Sequence, residues 1–295
     1  MSNFLKNEKL NKKYCCALFV LIVPIAIFAK IHFFDNRYSL YHALDYYEFS
    51  QQEQKDSLKN LLKQASIIPP NKSFADIFPS NRTKAQITKD ILHFVKTTQE
   101  KFVIRNGKQE RWEVSAPEWM KRNQQNIYND LKILGFSEPV KPKMNDVDAI
   151  CILGATRKVM VDRIEYAKSL INSGLKTNTI ILLAGERYVT EKIDGSEQEL
   201  SNIAKKFDIQ DWRKLTETHL IEDLYDTSEL QKRKLAKYVI DTPAGELPRP
   251  TTQSTLIELA AWLKDHKNIR KIVFISNQPH VKYQNAIITS VFTEY

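Results

Sequence analysis

The chain has 295 residues, of which 42% are hydrophobic and 27% charged. That balance excludes a disordered chain, and the length suits one large domain or a smaller domain with accessory elements. The net charge of +9 permits an anionic partner. Its Lys and Arg residues are spread among acidic neighbours, with no concentrated basic stripe, so no nucleic-acid partner is expected.

Taken in chain order, the first feature is at the N-terminus. Lys6, Lys9, Lys12 and Lys13 precede an apolar run over residues 14–29, followed by Lys30 and then Ile31, His32, Phe33 and Phe34. Crossing a bilayer takes about 20 apolar residues, and residues 14–34 reach that length if Lys30 snorkels to the interface. Aromatic residues at both ends suit the headgroup region. The four lysines place residues 1–13 in the cytoplasm, because only Arg37 is basic just beyond the run. The expectation is a tail and transmembrane anchor over residues 1–34, with the rest exported. A cleaved signal peptide is the competing reading, but Ile27, two residues before Ala29, makes a poor small-residue cleavage site. Cys15 and Cys16 read as apolar filler, and Cys151 lies in an expected strand. No pair of cysteines has metal-ligand spacing.

Residues 35–145 read as a small helical accessory region. Leu40, Leu44, Tyr47, Leu58, Leu61 and Leu62 recur at helical spacing, and Pro69 and Pro70 stop that pattern. A second helix is expected over residues 83–98. A third should start near Pro117, with Ser115 as its cap, and end at Gly135. Pro139 and Pro142 frame a short linker.

The texture changes at residue 148. Residues 149–153 form a short continuous apolar run, followed by Gly154, Ala155 and Thr156. A helical pattern over 157–172 closes at Gly174, and residues 179–183 form a second apolar run before Ala184, Gly185 and Glu186. Strand, tight turn, helix, strand signals a βαβ unit with a parallel sheet buried on both faces. A helix over 196–207 is expected, since Ser196 and Glu199 have capping-box spacing. Residues 208–236 read as a charged helical insertion. A short strand at 238–240, a helix at 255–264, a buried strand at 271–275 and a helix at 280–291 complete the pattern. The expected fold class is therefore α/β, a Rossmann-like parallel-sheet domain over residues 146–295.

Ligands of such sheets bind at the carboxyl ends of the strands, where helix N-termini favour anions. Three loops fit that position: 154–157, 184–187 and 276–280. Gly154 and Gly185 allow close backbone approach, although the three spaced glycines of a dinucleotide fingerprint are missing. No Ser-His-Asp triad, zinc signature or phosphate-binding P-loop is visible, so no metal is expected, and the cofactor stays open.

The three loops together resemble the DUF218 family of YdcF-like envelope proteins, over about residues 146–292. Residues 148–154 with Arg163 look like the opening of that domain. The turn at Ala184, Gly185 and Glu186 is similar to its second loop, and Glu197 after Ser196 stands at its acidic position. Thr252 falls on its Asn-Thr segment, and Ser276 and His280 on its Thr-Ser-x-x-His. The sequence departs from the pattern at Ala155, Thr156, Glu186, Ser254, Thr255 and Tyr283, and it ends at Tyr295 before a usual final strand and helix.

The resemblance implies a plasma-membrane protein with its main domain on the periplasmic side and a role in envelope or cell-wall biogenesis. It implies a phosphate-bearing or lipid-linked ligand, bound by Gly154, Arg163, Gly185, Glu186, Thr252 and Ser276, with Glu197 or His280 as general acid or base. Two other expectations stand beside it. One is a non-catalytic scaffold built on an altered domain. The other is a nucleotide or S-adenosylmethionine binder, with Glu186 as the acid at the end of the second strand.

Overall fold

The computed structural model of the chain describes residues 52–72, 76, 83–102, 115–246 and 249–294. The expected anchor at residues 14–34 lies outside them. Among the described residues, no helix is long and apolar enough to cross a membrane. The chain divides into two compact units, Met1–Pro139 with Gln278–Tyr283, and Val140–Asn277 with Gln284–Tyr295.

The first unit is helical. Its described helices are α1 (Gln52–Gln64), α2 (Lys84–Phe102), α3 (Glu118–Arg122) and α4 (Gln124–Ile133). Helical spacing puts Leu58, Leu61 and Leu62 on one stripe of α1, and Ile127, Leu131 and Leu134 on one stripe at α4. All six are buried in one core with Met120 and Phe136. Each such burial stabilises the fold by about 1.5–3 kcal/mol. Gly135 ends α4 at a φ of +76°, which lets the Phe136 N–H reach back to the Leu131 carbonyl at 2.9 Å. Ser115 is not the cap of α3. Pro117 holds that position with extended backbone, at φ −60° and ψ 154°.

The second unit is a four-stranded, all-parallel sheet with the order β3-β2-β1-β4. Its strands are β1 (Ala149–Leu153), β2 (Thr179–Gly185), β3 (Ala236–Thr242) and β4 (Ile272–Ile275). Every residue of β1 and β2 is buried, as the continuous apolar runs require of strands covered on both faces. Side chains alternate between faces along a strand, so Ile150 and Ile152 join Ile180 and Leu182 in one core, while Ala149, Cys151 and Leu153 join Ile181 and Leu183 in another. Asp148 ties the sheet at its entrance, where its carboxylate accepts the backbone N–H groups of Arg270 and Lys271 at 2.7 Å each.

Helices α5 (Arg157–Asn172), α6 (Glu191–Asp194), α7 (Glu197–Lys206) and α8 (Glu217–Asp226) precede β3, α9 (Thr252–Leu263) follows it, and α10 (Val281–Glu294) follows β4. Met160 and Ile164 of α5, Leu200 of α7 and Leu220 of α8 cover the first face, and Leu256 and Leu259 of α9 cover the second. The segment read as a charged helical insertion contributes α8 to this core. Helix α8 packs on β2, β3 and α5, and it buries Leu220, Ile221 and Tyr225. Its surface charges hid an apolar stripe that closes the sheet between β2 and β3.

Two strands follow β1 in one direction across the sheet, and β4 then returns to the other side of β1. The carboxyl ends of β1 and β4 therefore flank the topological switch point, the place where open parallel sheets form a crevice.

Candidate functional site

Four strand ends meet along one edge of the sheet, and the loops leaving them position a buried polar cluster. Arg163 projects from the second turn of α5 and is only 3% exposed. One of its terminal nitrogens donates to the carbonyls of Leu153 and, at 2.7 Å, Gly154; the other donates to Asn277 Oδ1 at 2.6 Å. The guanidinium thus joins the end of β1 to the loop after β4. Burial lowers its pKa to about 10, an effect opposed by the nearby Glu217 charge. Its Nε is buried without a hydrogen-bond partner among the described residues.

Arg187, in the loop after β2, forms the centre of the cluster. Its two terminal nitrogens bind both oxygens of Asp194 at 2.9 and 3.1 Å, and its Nε donates to Glu217 Oε2 at 2.8 Å. One of those nitrogens also donates to the Ala155 carbonyl at 3.1 Å. Asp194 is fully enclosed, and it also accepts the backbone N–H groups of Arg157 and Thr190. Burial works against charge on Arg187, but the hydrogen bonds and charges of Asp194 and Glu217 outweigh it and raise its pKa. Burial raises the Glu217 carboxyl above the usual carboxylate range, and Arg187 only partly offsets this. The reason is geometric, since Asp194 takes the paired grip of Arg187 and leaves Glu217 one nitrogen.

Glu217 also accounts for Gly154. A methyl group at position 154 would lie 2.1 Å from Glu217 Oε1, so the open face of this glycine admits the protein's own carboxylate. At Gly185 a methyl group would meet Pro250 at 2.6 Å and the Thr242 carbonyl at 2.7 Å. Both glycines permit close approach, as their position suggested, but the neighbour in each case belongs to the chain itself.

The remaining expected residues lie around this edge or apart from it. Glu186 is exposed, and its carboxylate accepts the Ala244 N–H at 3.0 Å, which pins the loop after β3. Glu197 opens α7, is exposed, and accepts the Trp212 indole N–H at 3.3 Å. Beside it Ser196 and Glu199 form the expected capping box. Thr252 is half-buried at the start of α9, where Thr251 is the cap. The Ser276 hydroxyl donates to Gln284 Oε1. His280 lies in the Gln278–Tyr283 stretch that groups with the helical unit. Among the described residues, no group of three His, Cys, Asp or Glu side chains is placed to hold a metal.

Sequence reasoning misses Asp194 and Glu217, and it reaches Arg187 and Asn277 only as members of the 184–187 and 276–280 loops. The one local signal was that Arg187 directly follows a strand-end turn. Its pairing with Glu217 joins residues 30 positions apart and leaves no trace in local spacing. Parallel strand order, helices on both faces and a polar cluster at the strand ends define a Rossmann-like α/β domain. No family model, no curated protein and no solved structure matches the chain.

Proposed function

We propose that the chain is a membrane-tethered protein of the DUF218 type that binds a phosphate-bearing or lipid-linked envelope precursor at the strand ends of its α/β domain. The N-terminal run over residues 14–34 is the tether, with residues 1–13 in the cytoplasm and the α/β domain on the periplasmic side. One observation carries the ligand class: two arginines, Arg163 buried and Arg187 largely buried at 13% exposure, sit at the carboxyl edge of a parallel sheet. Enclosing charge is costly unless it is paired, and a cluster of shifted groups at this edge is the pattern of a functional site. The resemblance assigns proton transfer to Glu197 and His280 and ligand contacts to Thr252 and Ser276.

A non-catalytic scaffold is the second reading. It is favoured by Glu217, whose carboxylate fills the space beside Gly154 and leaves the cluster's charges satisfied from within.

The test uses the full-length chain in mild detergent, in a thermal-shift screen against a prenyl phosphate and the matching uncharged prenol. Binding to the phosphate alone, lost in Arg187→Ala that still melts cooperatively, is the expected result. Equal shifts with both compounds, or none with either, would sink a lipid-linked phosphate as the ligand. Activity on such a precursor that falls in Glu197→Gln and His280→Ala at unchanged melting temperature would separate an enzyme from a scaffold. The tether is tested apart, because alkaline carbonate should fail to strip the protein from membranes.

A further inference from the structure

The charge count of the strand-end cluster is balanced. Arg163 and Arg187 are the cations and Asp194 and Glu217 the anions, but the two carboxylates are held differently. Asp194 is fully enclosed and accepts four donors, two from Arg187 and the backbone N–H groups of Arg157 and Thr190. Glu217 has one ion-pair bond, to Arg187 Nε at 2.8 Å, and its side chain keeps 15% of its surface exposed. It starts α8, so its side chain can swing outward without unwinding a turn. Its carboxylate also lies where the missing side chain of Gly154 leaves room at the end of β1.

We infer that Glu217 is a built-in occupant of an oxyanion site, its carboxylate holding the place that the phosphate of a ligand takes when Glu217 swings out. The inference rests on the phosphate-binding reading above and names the gate of that site. Two further observations support it. Arg163 Nε is a buried donor with no hydrogen-bond partner among the described residues, although Glu217 is close enough to act on its charge. Burial also disfavours the ionised form of Glu217, so its departure to water recovers hydration. With the carboxylate gone, the pocket would hold Arg187 Nε and the open face of Gly154, with one net positive charge. A compact tetrahedral oxyanion restores the balance. A bulky apolar group does not.

The experiment uses inorganic phosphate as the probe, with the full-length chain in mild detergent and titration calorimetry as readout. Wild type should bind phosphate weakly. Glu217→Ala, which removes both the charge and its bulk, should bind on the order of tenfold tighter or better, the scale of one charge-assisted hydrogen bond. Adding Arg187→Met to it should abolish the gain. Glu217→Gln should gain less than Glu217→Ala, because the amide still fills the space. Glu217→Ser repeats the test if the alanine variant does not fold, since serine is well accepted at a helix start. Cooperatively melting Ala and Ser variants with wild-type phosphate affinity would overturn the inference. Failure of both to fold would also overturn it, by making Glu217 a counter-ion that the fold cannot release. If the prenyl phosphate screen fails while Glu217→Ala binds phosphate, only the lipid-linked ligand is rejected and the gated site stands.

Discussion

Arg163 and Glu199 show how a single side chain in this protein is assigned its task by what surrounds it. The Arg163 guanidinium caps the Leu153 and Gly154 carbonyls and grips Asn277. Arg163→Met keeps the apolar stem and removes those donors, leaving enclosed acceptors unpaired. The expected loss is about 3 kcal/mol or more, read from the denaturant midpoint. Removing an arginine that only held a ligand would change the unfolding free energy by less than about 0.5 kcal/mol. Glu199 is exposed, and its carboxyl is held down at about 2 by the Ser196 N–H first, then by the Ser196 hydroxyl and Arg157. The sign follows from the depressed folded value: the stabilisation is present above the unfolded value of 4.5 and fades as pH falls towards 2. Wild type should therefore lose more melting temperature than Glu199→Gln across that window. Equal losses would show that the cap does not depend on charge.

At the scale of elements, α8 is the instructive case. Its segment is dense in Glu, Asp and Lys, and these form ion pairs on the surface, such as Lys232 with Glu229. Surface pairs of this kind contribute little, about 0–1 kcal/mol. The stabilising part is the stripe of Leu220, Ile221 and Tyr225 against the sheet. Leu220→Ala should cost about 2–5 kcal/mol, whereas a residue on an exposed face would leave unfolding nearly unchanged. Calorimetric or denaturant unfolding of this one variant decides the matter. Other elements needed no such context. The capping box of α7 depends on residues three apart, and the end of α4 on one glycine. Both are legible in the sequence because the interactions that make them are local.

For the whole molecule, the sheet order sets which backbone is best protected. Strands β1 and β2 are central and wholly buried, while β3 and β4 are edges with partly exposed residues. Amide hydrogens of β1 and β2 should exchange slowest, near the global unfolding limit, and those on the outer side of β3 and β4 much faster. Slow exchange confined to the helical unit would contradict this.

The sequence by itself determined the α/β class, both central strands and most helix ends. Those features depend on hydrophobic period, caps and turns, which act within a few residues of one another. Only the tertiary structure decided that α8 is core, that Arg163 is enclosed between β1 and the β4 loop, and that Glu217 lies against Gly154 and Arg187. These depend on contacts between residues up to 114 positions apart, where burial and charge pairing, with no sequence period to announce them, choose the partners.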